Sequence, residues 1–305
     1  MLNYLIKRLI QSLFVLFGIT LVVFVVLHLS GDPVQLMVPP TASQAEVDAL
    51  RQKMGFNDPI YLQYYRFLIN IIHGDFGESY YYNEPAMKIV LERFPATVEL
   101  SFSAMLIALL VAIPAGIISA VNRNGGIDAF IRLFALMGQC IPSFWLGIIF
   151  ILLFSVNLHW LPTGGNNGIA SLILPAVTLG MFSAASITRV LRSSMIEILG
   201  KEFIIVAWAK GLPQKVVILK HAFKNAFSSM MTIVGMQFAG LLGGSVIIET
   251  VFAWPGVGRL IVQSIVNNDF MVVEATVMLL ASIFVLINFV VDILYCIINP
   301  RVKMQ

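Results

Sequence analysis

The chain has 305 residues, 59% of them hydrophobic and 11% charged, with a mean hydropathy of +0.90. Soluble domains carry about 25% charged residues, so a soluble core of this composition lacks the polar groups to cover itself, and a polytopic membrane protein is expected. The formal charge of +3 is too small to indicate a nucleic-acid partner, and the four histidines have no metal-ligand spacing.

Lys7 and Arg8 precede an apolar run from Leu9 to Leu29. That run exceeds the roughly 7–15 apolar residues of a secretory signal, and LHLSGDP at its end offers no small-residue cleavage site, so residues 1–30 read as an uncleaved first transmembrane helix. Residues 31–97 form a polar segment. Gly31-Asp32-Pro33 is expected to turn, and Ser43-Gln44-Ala45-Glu46 has capping-box spacing ahead of a short helix through Met54. Asn57-Asp58-Pro59 makes a break. Ile60–His73 carries Tyr61, Tyr64, Tyr65, Phe67, Leu68, Ile71 and Ile72 at helical spacing, as an interfacial helix would. Gly74–Ser79 is a turn-rich link with no preceding strand and no following lysine, which excludes a phosphate loop.

Five further apolar runs make up the core over 98–305: Phe102–Ala120, Phe134–Val156, Ile169–Thr188, Phe227–Ile248 and Ala275–Ile298. Each approaches the roughly 20 residues a spanning helix requires. Six crossings place both termini on one side. The N-terminus, the Asn122–Arg132 link and the last seven residues carry two positive charges each, and 189–224 carries seven, whereas Asn157–Gly168 has none and Thr250–Met271 only Arg259. The positive-inside rule then puts both termini in the cytoplasm and 31–97, with five basic and eight acidic residues, outside. The expected class is an all-α polytopic membrane protein with six transmembrane helices and a large extracytoplasmic segment after the first.

Cys140 and Cys296 fall inside apolar runs and read as packing residues. The charges in or near the spans, Glu99, Arg132, Glu249, Glu274 and Asp292, lie toward predicted ends, where interfacial solvation accounts for them; a proton- or sodium-coupled carrier keeps such groups near the midplane, with Glu249 and Glu274 its only candidates here. Pro114, Pro142 and Pro175 loosen three spans. Gly240 and Gly244 have the spacing of close helix packing or of a sliding face. Gln139, Gln237 and Asn288 either line a polar pathway or bond a neighbouring helix. No Gly-x-x-x-x-Gly-Lys-Ser/Thr, Gly-x-Ser-x-Gly or His-Glu-x-x-His occurs, so the chain is not expected to be an enzyme or to bind a cofactor; if it serves active transport, the energy must enter from another polypeptide.

Between Arg189 and Lys224 the chain turns basic and amphipathic. It reads Ala207-Trp208-Ala209-Lys210-Gly211-Leu212 and, eight residues later, His221-Ala222-Phe223-Lys224-Asn225-Ala226. Phe203–Lys210 is helix-compatible, Gly211 suits a left-handed position after the helix, and Pro213 prevents continuation. Taken alone, such a stretch also fits binding to anionic lipid.

These residues closely resemble the EAA loop of ABC-importer permeases of the dipeptide/oligopeptide/nickel family. The likeness continues through Gly55-Phe56-Asn57-Asp58-Pro59, Gly74-Asp75-Phe76-Gly77, Pro95-Ala96-Thr97-Val98-Glu99-Leu100, Ile141-Pro142-Ser143-Phe144-Trp145, Glu249-Thr250-Val251-Phe252-Ala253-Trp254-Pro255-Gly256 and Asn299-Pro300-Arg301. The resemblance implies a permease that pairs with a second, homologous permease. Two ATP-binding cassette subunits holding ATP and Mg would dock on the coupling loop, here 189–226, and an extracytoplasmic binding protein would deliver peptides. It implies that Phe203, Ala207, Trp208, Lys210, Gly211, His221 and Asn225 face the ATPase, with Ile204 and Ile205 available for burial in it. Ile205 and Val206 stand where the motif has its opening acid and first alanine, and Trp208 stands where arginine is usual, exchanging a charged contact for packing. Nickel, a metal chelate and glutathione are the family's alternative cargoes.

Overall fold

The computed structural model describes residues 2–29, 43–53 and 56–298, so Gly31-Asp32-Pro33 and the final Asn299–Gln305 lie outside the described residues. Within them the fold is helical, with one isolated β-bridge, Glu78 to Pro85, and no strand.

Helix α1 (Leu2–Leu29) lies at the edge of the bundle, with most of its apolar side chains exposed. It packs on the last helix, where Arg8 pairs with Asp292 at 3.3 Å. Its other support is α3 (Ile60–His73), through a Thr20–Tyr64 hydroxyl contact of 2.9 Å and Phe24 set against Tyr64 and Phe67. Helix α3 has the bounds the sequence predicts, and a short α2 (Gln44–Lys53) stands where one is expected, its predicted end at Met54 lying outside the described residues. Gly74 closes α3 in the left-handed region at φ 71°.

Helix α4 (Ala86–Val121) runs without interruption across residue 97, through Pro95 and Pro114. Its 36 residues give ~54 Å of helix, more than the ~30 Å hydrocarbon core, so the predicted Phe102–Ala120 run is only one end of a longer rod. Leu100, Ala104, Ala108 and Ala112, one residue in four, are completely buried. They form a smooth stripe against α7 (Ile169–Leu199), where small residues permit close backbone approach. The approach is closest at Gly180: a Cβ there would stand 2.5 Å from the carbonyl oxygen of Ala104.

The predicted single span Phe134–Val156 is instead two helices. Helix α5 (Gly126–Cys140) ends at Ile141, and α6 (Ser143–Phe150) starts after Pro142 and continues in π-helical turns over Ile151–Asn157. The two meet at 103°. Ile141 and Pro142 are both extended, because a residue before proline avoids the helical region and proline brings no N–H to continue the ladder.

Beyond α7, a short helix α8 (Glu202–Ala209) leads to α9 (Gln214–Val216), π-helical turns over Val217–Phe223 and α10 (Lys224–Gly244). Arg189–Leu199, read above as part of the basic loop, therefore completes α7, and the irregular loop is confined to residues 200–201 and 210–213 around α8. The predicted Phe227–Ile248 run stops at Gly244; Ile248 belongs to α11 (Val246–Val251), followed by α12 (Val257–Val266) and α13 (Phe270–Ile298).

Among the described residues, five helical stretches are long and apolar enough to cross a membrane, and the bent α5–α6 pair makes six if taken as one span. One core joins α4, α7, α8 and α10; a second joins the start of α4 to α12 and α13.

Candidate functional site

Helix α8 is held on one side and open on the other. Ile204 and Ala207 are buried against the π-helical turns, beside Val217 and Ala222. Both are therefore part of this chain's own core and do not face outward, contrary to expectation for Ile204 and Ala207 alike. Phe203, Ile205, Val206 and Trp208 are exposed, an apolar face on a polar end of the molecule.

After α8 the chain turns in a Schellman motif. The Gly211 N–H donates to the Trp208 carbonyl at 2.9 Å, the Leu212 N–H to the Ala207 carbonyl at 3.4 Å, and Gly211 has φ 73°. Lys210 is exposed beside it. His221 lies in the π-helical turns, half-buried, and Asn225 donates to its carbonyl at 2.6 Å from the first turn of α10. The seven expected docking residues thus fall on one helix, its closing turn and the segment packed behind it.

A buried charge clasp lies along α7 above this helix. Asp128, at the start of α5, is completely buried and accepts a bidentate pair from Arg192 of α7, Nε to Oδ1 at 2.7 Å and Nη2 to Oδ2 at 2.8 Å. The Ser119 hydroxyl of α4 and the Asn124 N–H also donate to the carboxylate. The clasp pins the ends of α4 and α5 to the helix that carries α8. Sequence reading passed over Asp128; the available signal is that it is the lone acid in the otherwise basic Asn122–Arg132 link.

At the α5–α6 break a cavity of about 410 Å³ opens between α5, α6, α7 and α10, and it gathers three of the five expected pathway residues, Gln139, Gln237 and Gly240. Neither glutamine side chain has a hydrogen-bond partner among the described residues, and none of the lining residues is charged. Gly240 meets nothing within 4 Å of an added Cβ, so within this chain it is no packing contact; the tight position on α10 is Gly235, against Val291. Gly244 is the last residue of α10. Asn288 is not brought to the cavity: it donates to the Phe284 carbonyl of its own helix at 2.8 Å. Cys140, expected to pack, is exposed where α5 ends.

Glu249 and Glu274 are buried, not solvated at an interface as expected. The Glu249 carboxylate accepts from the Thr97 and Ser245 hydroxyls at 2.7 and 2.8 Å and from the Arg259 N–H at 3.0 Å. The Val257 N–H donates to Thr97 Oγ1 and the Trp254 indole N–H to the Ala96 carbonyl. This knot fixes the Glu249–Arg259 turn to α4, and its acid is fully engaged in holding structure.

Comparison with known proteins adds identity. Residues 112–304 match the family model described as binding-protein-dependent transport system inner membrane component, and residues 1–101 match the N-terminal model of the same systems' membrane component. The glutathione transport system permease protein GsiC of Escherichia coli (strain K12) is 40% identical over 304 residues, covering 99% of both chains; the GsiC of Shigella dysenteriae serotype 1 matches equally. Among solved structures, the inward-facing MetNI methionine ABC transporter superposes with a TM-score of 0.61 at 19% identity, over 70% of this chain and 97% of that one. An amino acid ABC transporter gives a TM-score of 0.52 at 14% identity, over 70% and 94%. At these identities the structures speak for the fold alone. The full-length sequence match decides the family: the chain belongs to the binding-protein-dependent transport system inner membrane components, the permease subunits of ABC importers.

Proposed function

We propose that this permease forms half of a translocation pathway for short peptides, with glutathione, itself a tripeptide, the foremost candidate cargo. The 40% identity to GsiC along essentially the whole of both chains carries that reading. In it a second, homologous permease supplies the other half, two ATPase subunits bind ATP and Mg, and an extracytoplasmic binding protein delivers cargo. The α8 face of Phe203, Ile205, Val206 and Trp208 docks on an ATPase, with Lys210 at the rim and Gly211 turning the chain back into the bundle. The asymmetry of lysine and arginine supports a cytoplasmic position for α8 and both termini, which leaves the 31–97 segment outside, facing the binding protein or the partner permease. Within this scheme the chain is a transport component and not an enzyme. An ion-coupled mechanism gains no support from Glu249, whose carboxylate is tied into the Thr97 knot.

The test is reconstitution of the complete importer in proteoliposomes with labelled glutathione, a di- and a tripeptide, and nickel. ATP-dependent accumulation of a peptide is expected. Uptake of nickel alone, or uptake by this chain alone on a proton gradient, contradicts the proposal.

A further inference from the structure

The cavity at the α5–α6 break combines two features that the family assignment does not explain. The first is a helix N-terminus without partners. Pro142 occupies the cap, and the Ser143, Phe144 and Trp145 N–H groups make no hydrogen bond among the described residues; the first ladder bond of α6 is Leu146 N–H to the Pro142 carbonyl at 3.1 Å. First-turn N–H groups project out of the end of a helix, here toward the break, and carry its positive dipole end.

The second feature is side-chain polarity with nothing to bond. Ser183 of α7 is only 1% exposed, lines the cavity, and has no hydrogen-bond partner among the described residues. Its helix shows the usual alternative: Thr178 and Thr188 return their hydroxyls to the Leu174 and Ala184 carbonyls at 2.7 Å each. Gln139 and Gln237 stand in the same wall, equally unpartnered. Buried polar groups are ordinarily satisfied, and the buried Ser183 with two half-buried glutamines, none of them bonded within the described residues, marks a place for a bonding ligand.

The neighbouring cavity agrees in sign. It shares Gln139 and is lined by Arg132, Arg189 and Arg192, with about 260 Å³ of space. Asp128 meets Arg192 and lies 3.5 Å from Arg132, while Arg189 has no acidic partner among the described residues. A solute leaving the break toward that end meets excess positive charge.

We propose that the break is a cargo-binding site for a carboxylate-bearing amide solute, its carboxylate held at the N-terminus of α6 and its amides by Gln139, Gln237 and Ser183. This rests on the peptide-importer reading and deepens it, because peptides present both groups. The dipole end selects the anion, and the neutral side chains let it leave again, since no fixed charge in the cavity wall traps it.

The site's charge preference is measurable without knowing the cargo. In the complete importer, with Cys140 and Cys296 replaced by serine, Gln237→Cys is labelled with the anionic sulfonatoethyl methanethiosulfonate and with its cationic trimethylammonium counterpart. Gln139→Cys serves as a second reporter should the first fail to assemble. The anionic-to-cationic rate ratio is expected to exceed that of a free thiol in solution by about threefold or more, as a helix N-terminus provides. A ratio equal to or below the free thiol's overturns the site. In parallel, the unsubstituted importer is expected to take up a free-acid tripeptide about threefold faster than its C-terminal amide, as a helix N-terminus provides, and Ser183→Ala to cut the maximal uptake of both about fivefold, the effect of one lost hydrogen bond to the cargo's amides. Equal uptake of acid and amide by the unsubstituted importer overturns the carboxylate assignment, and undiminished uptake in Ser183→Ala overturns the role given to Ser183. An anion preference in an importer that carries no carboxylate-bearing peptide supports the site and removes the peptide reading instead.

Discussion

The polar groups around Glu249 and those around the α5–α6 break are both uncharged donors or acceptors facing the bundle, except for Glu249 itself, and they are in opposite states. At Glu249, both carboxylate oxygens are occupied by donors from α4, from Ser245 at the start of α11, and from α12. At the break, Gln139, Gln237 and Ser183 line open space with no protein partner among the described residues. Satisfied polarity locks elements together; unsatisfied polarity beside a cavity is available to whatever passes through. The Asp128–Arg192 clasp belongs with the first kind, and the exposed α8 face is the apolar counterpart of the second.

Substitutions sharpen this contrast, and the largest effect is expected at the clasp. Asp128→Ala leaves the Arg192 guanidinium, only 20% exposed in its side chain, without its carboxylate. Breaking such a pair costs about 3–5 kcal/mol, so the thermal midpoint of the purified complex should fall steeply, with partial recovery in Asp128→Glu. Gly180→Val follows: its Cβ would press on the Ala104 carbonyl oxygen and force α4 from α7. Overpacking of this sort costs about 1–3 kcal/mol, to be read as a lowered midpoint.

Gly211→Val tests the other side of the comparison. A β-branched residue at φ 73° is strained by about 1–2 kcal/mol, local to the turn. The chain should stay in the membrane while uptake and cargo-stimulated ATP hydrolysis are lost, as uptake assays on membrane-quantified protein would show. Trp208→Arg restores the residue usual in the family at an exposed position. It should shift stability by less than about 0.5 kcal/mol and support ATPase binding in a pull-down.

The sequence made the local signals readable and left the tertiary ones hidden. Ile60–His73 was legible because aromatic periodicity, the preceding Pro59 and the closing Gly74 agree. The turn at Gly211 was legible for the same reason: a glycine and a proline flank a short helix-compatible run. The break at Pro142 was legible only as a kink, because hydropathy is blind to a change of direction inside an apolar run. The Ala104–Ala112 stripe went unread because alanine is unremarkable until its spacing of four is set against a second helix. Ile204 and Ile205 are adjacent and chemically alike; only the packing of α8 shows that the first is core and the second exposed. Glu249 reads as interfacial from its place near a run's end, and the three donors that bury it come from up to 152 residues away in the chain.

The most direct test of the difference between satisfied and available polarity is Gln237→Leu in the complete importer, with thermal midpoint and maximal uptake measured on the same preparation. A side chain that bonds only cargo should leave stability within about 0.5 kcal/mol and lower the uptake rate. A fallen midpoint with unchanged uptake per folded complex would contradict the account and make Gln237 another part of the bundle's own structure.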